Sequence, residues 1–228
     1  MAKIAKRLKA KELPNEIVSL TEALTAVAGG SGVKFDESVD VAVQLGIDPR
    51  KSDQAVRGSV LLPSGTGKNV RVAVVAQAES DRSAASEAGA DLVGFEELIS
   101  EIGGGKMDFD VLLATPDSMR QLAAAAKVLG PRGLMPNPKN KTVTKEIAEA
   151  VRDAKAGQVR YRADKAGIIH ASVGKASFSP DALQKNVESL LVSLKKAKPA
   201  SSKGIYLRRL SVSATMGRGV QVDVSTYR

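Results

Sequence analysis

The segment Val70-Arg71-Val72-Ala73-Val74-Val75-Ala76 is a nearly unbroken apolar run. A strand with one wet face alternates apolar and polar residues. A continuous run is expected where helices bury both faces, as in parallel sheets. The next eighty residues agree with that reading. A helix is predicted over Ser80–Ala88, stopped by Gly89, then a short strand at Leu92 and Val93. A second helix covers Glu96–Ile102, stopped by Gly103 to Gly105, and a third strand covers Asp110–Thr115. Asp117 is placed to cap a helix running to Leu129, with Gly130 and Pro131 beyond it. Thr144 is placed to cap a last helix running to Ala156, stopped by Gly157. The order β-α-β-α-β-α argues for a parallel sheet covered by helices.

The flanks read differently. Glu22–Ala28 is helical, ended by Gly29 and Gly30. Val39, Val41, Val43, Leu45 and Ile47 then alternate with Asp40, Ala42, Gln44 and Gly46, the period of a strand buried on one face. A short strand near Ser59–Leu62 precedes a loop or linker through Pro63, Ser64, Gly65 and Gly67. After Gly157, Val159–Arg162 and Ile168–Val173 read as a hairpin around Asp164, Lys165 and Gly167. Ser179 and Pro180 mark the start of a helix running to about Lys196. Ile205–Thr215 and Val220–Val224 are two more strands. The chain is therefore expected to be α/β with two domains. Residues 1–67 and 159–228 would form a discontinuous α+β domain, an antiparallel sheet with helices. Residues 68–158 would be an α/β domain inserted into it. Two chain crossings at such a boundary permit domain motion.

Charge divides along the same line. The chain carries +9 overall. Val70–Gly157 holds 11 basic and 13 acidic residues, a net of −2, so the outer segments hold 23 basic and 12 acidic, a net of +11. Such asymmetry marks a polyanion-binding part joined to a near-neutral part. Aromatics make up only 3%, with no Trp, so recognition by stacked bases has few platforms. Shape, ribose hydroxyls and hydrogen bonds are the expected means. There is no Cys, which excludes disulfides and thiolate metal sites. Met1–Asn15 is basic and has no signal-peptide apolar core, and no stretch approaches a membrane span. A cytoplasmic location without membrane contact is expected.

Enzyme signatures fail on inspection. Gly65-Thr66-Gly67-Lys68 resembles part of a phosphate loop. That loop needs Gly where Leu62 stands and Ser or Thr where Asn69 stands, and Val70 breaks the dinucleotide fingerprint. His170 is the only histidine, too few for a metal site, and no nucleophile elbow is present. No cofactor, metal or catalytic residue is expected. His170 can be an ordinary half-exposed strand residue, or bind a partner together with Lys165 of the same hairpin. Phe35 can be core, or brace a surface on which Lys34 and Ser38 meet RNA. Gly130–Lys139 holds two glycines and three prolines, which fix a stiff loop. Its neighbourhood includes the basic Arg132, Lys139 and Lys141, a secondary RNA contact or an incidentally charged turn. Ser211, Ser213 and Thr215 alternate, so they share one strand face, with Met216 and Gly217 following. A hydroxyl-lined face suits ribose contacts and equally suits a solvated strand.

At these residues the sequence resembles the ribosomal protein L-one family over essentially its full length. The matching stretches are KFDESV (34–39), LGIDPRKSDQAVRG (45–58), MDFD (107–110), LGPRGLMPNPK (129–139), DKAGIIH (164–170), VGKASF (173–178) and TMG (215–217). The resemblance implies a split RNA-binding domain built from both chain ends and an inserted Rossmann-like, three-layer domain. It implies a large-subunit constituent of the mobile lateral stalk. The expected partners are the stalk region of large-subunit rRNA, deacylated exit-site tRNA and the protein's own operon mRNA, whose translation bacterial members repress. The free protein is expected to be a monomer. Carried to matching positions, RNA contacts would be Lys34, Phe35, Ser38, Asp164, Lys165, His170, Lys175, Ser177, Ser211, Ser213, Thr215, Met216 and Gly217. Two positions depart from the family pattern: Arg218 stands where proline is usual, and Asn140-Lys141 stands where a glycine is frequent. The competing classes are an RNA-binding regulator outside the ribosome and, less favoured, a nucleotide-binding enzyme.

Overall fold

The computed structural model describes residues 16–28 and 33–227. Gly29 and Gly30, the predicted stop of the first helix, and the Met1–Asn15 segment lie outside them. In chain order the elements are α1 (Leu20–Val27), β1 (Ser38–Leu45), β2 (Arg57–Leu61), β3 (Val72–Val75), α2 (Glu79–Glu87), β4 (Leu92–Gly94), α3 (Glu96–Gly103) and β5 (Val111–Ala114). They continue with α4 (Met119–Leu122), α5 (Ala126–Leu129), α6 (Ile147–Lys155), β6 (Gln158–Arg162), β7 (Ile168–Lys175), α7 (Pro180–Lys196), β8 (Leu207–Ala214) and β9 (Val220–Val222). The chain is a mixed α/β protein that divides into two compact units. One spans Lys68–Gln158, and the other combines the chain up to Gly67 with the chain from Val159.

The continuous unit is built on a parallel sheet of order β4-β3-β5. All four β3 residues are fully buried, and they feed two separate cores. Ala73 and Val75 pack with Leu98, Ile102, Leu122 and Leu129. Val72 and Val74 pack with Ala85, Ile147, Val151 and Ala154. Helices on both faces explain why no polar residue interrupts Val72–Ala76.

Two predicted caps are corrected. The helix expected from Asp117 to Leu129 is broken by a 3-10 turn at Ala123–Ala125, between α4 and α5. It opens at Ser118, not Asp117. The Ser118 hydroxyl is turned into the core, donating to the carbonyls of Val75 (2.9 Å) and Thr115 (2.9 Å). Thr144 does not cap α6, which starts after Glu146. Its hydroxyl accepts from Glu146 N–H at 3.1 Å, a local turn that competes with helix.

The discontinuous unit carries a four-stranded antiparallel sheet of order β7-β1-β8-β9. A separate two-stranded sheet pairs β2 with β6. The expected hairpin of β6 with β7 is corrected here. The Asp164–Gly167 turn forms, but only one bridge, Ala163 to Ile169, joins the two segments. β6 then leaves for β2, while β7 runs beside β1. α1 and α7 cover one face of the larger sheet through Leu20, Leu24, Leu183, Val187, Leu190 and Leu194. α7 begins as predicted: the Ser179 hydroxyl accepts from Ala182 N–H and Pro180 takes the first turn. α1 begins earlier than predicted, with Ser19 and Glu22 forming a reciprocal capping box.

Candidate nucleic-acid interface

Alternation along β1, β7 and β8 sends Val39, Val41, Val43, Ile169, Ala171, Leu210 and Val212 into the core. Their neighbours face the other way. Ala42 stands between His170 and Ser211, and Ser211 pairs on to Gln221. Asp40 stands between Ser172 and Ser213, and Gln44 between Ile168 and Arg209. The result is a polar face carrying hydroxyl, amide and charged groups, opposite the face the helices cover. Ser211 and Ser213 lie on it half-buried, as their spacing predicts.

At one end of this sheet a rim gathers eight of the expected positions. Lys34 and Phe35 precede β1, and the Phe35 ring is 54% exposed, which places it on the surface and not in the core. Lys175, at the end of β7, pairs with Ser38. Its ammonium donates to the Asp36 carbonyl (3.3 Å) and to Ser38 Oγ (3.4 Å). Among the described residues Lys175 forms no salt bridge. Both carboxylate oxygens of Asp36 are instead taken by Ser177, through its N–H (3.2 Å) and its hydroxyl (2.9 Å). Thr215 docks on Ser38: its hydroxyl accepts from Ser38 N–H at 3.0 Å and faces the Ser38 carbonyl at 3.2 Å. Met216 is exposed, and Gly217 closes the turn by donating to the Ala214 carbonyl at 3.0 Å.

Glu37 holds the rim together, and no sequence signal marked it. It is only 1% exposed, rare for a glutamate without bonded partners. Its carboxylate accepts from Met216 N–H at 2.8 Å, and its carbonyl accepts from Ala176 N–H at 2.8 Å. One residue thus ties the 215–217 turn to the end of β7.

Asp164 and Lys165 are not at this rim. They precede the opposite end of β7, seven residues or roughly 23 Å from Lys175 at strand rise. Asp164 organises its own turn: Oδ1 accepts from Ala166 and Ile168 N–H, each at 2.8 Å. Those amides, Ile168 foremost, hold its carboxyl below the usual range, helped by His170. His170 Nε2 lies 3.8 Å from Asp164 Oδ2, on an exposed side chain in the middle of the sheet face. Arg132, Lys139 and Lys141 are exposed in the other unit. There Asn137 shapes the proline loop, its side chain accepting from Lys139 N–H at 2.9 Å. Lys141 adopts a left-handed conformation (φ 55°) where a glycine would be easier.

The groups collected on the sheet face and rim are hydroxyls, amides, the ammonium groups of Lys34 and Lys175, the Arg209 guanidinium, the Asp40 carboxylate, a ring and a thioether. They can bind sugar, phosphate and base. Among the described residues no acidic or histidine cluster could hold a metal, and no helix is long and apolar enough to cross a membrane. These features define an α/β protein with a polar, charged sheet face and rim. The chain belongs to the Ribosomal protein L1p/L10e family, whose pattern matches residues 24–218. That is a family of ribosomal proteins and not of enzymes. The chain is 57% identical over 229 residues to the large ribosomal subunit protein uL1 of Laribacter hongkongensis, covering 99% of this chain and 98% of that one. It is 59% identical over 228 residues to uL1 of Francisella philomiragia, with the same coverage. It is 56% identical over 229 residues to uL1 of Chromobacterium violaceum, covering 99% of each.

Proposed function

We propose that this protein is a cytoplasmic constituent of the large ribosomal subunit that holds the stalk region of large-subunit rRNA beside the tRNA exit site. The discontinuous unit acts as the RNA-binding domain, and residues 68–158 act as an inserted Rossmann-like domain. In this position the protein assists release of deacylated tRNA and, off the ribosome, represses its own mRNA. The observation that carries the reading is the full-length likeness to relatives named for the large ribosomal subunit. The net +11 of the outer segments supports it, as does the hydroxyl-bearing rim. Arg132, Lys139 and Lys141 supply a secondary contact. The purified chain is expected to co-sediment with large subunits at moderate salt, and failure to do so would favour a regulator outside the ribosome.

The rim makes a sharper prediction. Lys175→Gln should flatten the slope of log affinity against log salt by about 0.7–0.9. It should weaken a stalk RNA and a scrambled control alike, because phosphate contacts position without specifying. Thr215→Val should leave the slope alone and weaken only the stalk RNA. The lost hydroxyl is bonded to Ser38 backbone, so the defect is a disordered rim costing about 1–3 kcal/mol. A changed slope for Thr215→Val, or equal loss on both RNAs, would remove the 211–217 strand from the interface.

A further inference from the structure

An apolar groove lies at the end of the discontinuous unit away from the rim. β8 runs from Leu207 to Ala214, so its start is seven residues, or roughly 23 Å, from the rim at strand rise. There the end of α7, the loop into β8 and the turn at Ser225–Tyr227 surround a groove of about 410 Å³. Its lining includes Lys195, Lys198, Ile205, Tyr206, Leu207 and Tyr227.

The walls are apolar. Ile205 is 54% exposed, Tyr206 and Leu207 are buried, and Tyr227 is half-buried. Burial, and then the neighbouring Tyr161, pushes the Tyr206 phenol up to about 12. Burial, and then Glu188, raises that of Tyr227. Both rings therefore stay neutral. The Tyr206 hydroxyl is itself buried and has no hydrogen-bond partner among the described residues, so this residue presents its ring to the groove and not its oxygen.

The mouth is cationic. The Lys198 ammonium stands 5.9 Å from the centre of the Tyr206 ring, and Lys195 lies about one helical turn earlier. Both lysines are exposed, and among the described residues neither forms a salt bridge. Ser189–Val222 holds seven basic residues and no acid. Glu188, the last acid before that stretch, is two turns before Lys195 and accepts from the Gln184 amide at 2.8 Å.

Most small-molecule sites are apolar clefts of this size with a few placed polar groups. Apart from the two tyrosines, no lining side chain can accept a hydrogen bond. A sugar–phosphate chain, which brings ribose hydroxyl donors, is poorly served there. A compact anion with an apolar body is well served. Rings on two walls favour a flat aromatic body, since aromatic pairs gain attraction beyond the area they bury.

We propose that this groove binds a small aromatic carboxylate, with its ring against Ile205 and the tyrosines and its carboxylate between the Lys195 and Lys198 ammonium groups. The site is separate from the rim, and the inference does not depend on the RNA-binding reading.

The test titrates the full chain with 2-naphthoate by calorimetry. Saturable one-to-one binding is expected, with a Kd below about 1 mM. 2-Naphthylmethanol keeps the rings and lacks the charge, so it should bind the wild type about tenfold more weakly or worse. Lys195→Gln/Lys198→Gln should lose a similar factor for 2-naphthoate. Ile205→Glu should remove binding, because it sets a carboxylate on the apolar wall. All three positions are exposed, and circular dichroism with urea unfolding establishes that the variants are folded. Saturating 2-naphthoate should also raise the urea midpoint of the wild type and leave that of Ile205→Glu where it was. Absence of saturation in the wild type overturns the proposal, as does equal affinity for 2-naphthylmethanol. Unchanged binding in the folded variants overturns it too. If the wild type does not saturate and the lysine variant instead flattens the salt slope of RNA binding, the two lysines belong to an RNA surface.

Discussion

Glu37→Ala is expected to weaken selective RNA binding strongly while leaving the protein folded. The carboxylate is the acceptor for Met216 N–H at 2.8 Å and is almost wholly buried. Its removal orphans that donor and opens a gap under the 215–217 turn. The stability cost is about 1–3 kcal/mol for the unpaired group, within the margin of an ordinary domain. The larger loss falls on binding, because the turn carries Thr215, Met216 and Gly217 together. A drop of about 2 kcal/mol in affinity for the stalk RNA corresponds to roughly thirtyfold. The salt slope should not change, since no cation is removed. Glu37→Gln keeps an acceptor oxygen in place and should retain most of the affinity. Binding curves for the three proteins on stalk and scrambled RNA, with urea unfolding alongside, decide the matter. Equal affinity of wild type and Glu37→Ala would mean that the turn does not touch the RNA.

Whether a residue could be read from the sequence depends on how local its physics is. Val72–Val75 was legible because burial on both faces demands an apolar side chain at every position. Ser179-Pro180 was legible because cap and first turn are neighbours in sequence. The Asp164–Gly167 turn was legible too, but its strands' partners were not. β6 pairs with β2 and β7 with β1, and those choices depend on segments about a hundred residues or more away. Thr144 failed for a different reason: two equally local bonds compete, and its hydroxyl took Glu146 N–H in a turn rather than capping the helix. In the candidate interface, residue type showed the hydroxyls and lysines, since exposed polar groups look alike wherever they fall. It could not show that five of them, with Phe35, Met216 and Gly217, share one rim while Asp164 and Lys165 sit at the other end of the sheet. Nor could it show Glu37, because a buried acid and a solvated one are the same letter.

Asn186 is another polar residue whose role only the fold shows, and its loss is expected to have the largest effect on stability. It projects from α7 among Leu183, Val187 and Leu190 and is fully buried. Its amide nitrogen donates to the carbonyls of Val173 (2.7 Å) and Gly65 (2.9 Å), and its oxygen accepts from Ser64 N–H at 3.0 Å. Of these three backbone groups the Val173 carbonyl lies in the core, while those of Ser64 and Gly65, after β2, are part-buried. Asn186→Leu keeps the number and branching of heavy atoms and adds apolar surface, so a purely hydrophobic account predicts stabilisation. Hydrogen-bond accounting predicts the reverse. The Val173 carbonyl orphaned in the core costs about 1–3 kcal/mol, and the part-buried Ser64 and Gly65 groups, which water can reach, add less, so the loss is on the order of 2–4 kcal/mol. That is a large share of the total stability of a domain. Urea unfolding should show a midpoint shifted far down with an unchanged slope, the mark of lost stability without a change in exposed surface. Asn186→Asp should also destabilise, because a carboxylate can accept from Ser64 but faces two carbonyls it cannot donate to. The residues after β2 lead through Gly65 and Gly67 to the crossing at Lys68, so amide exchange at Ser64 should accelerate in Asn186→Leu. An unfolding free energy within about 0.5 kcal/mol of wild type would show that water replaces the amide at no cost, and the bridge would then be incidental to the fold.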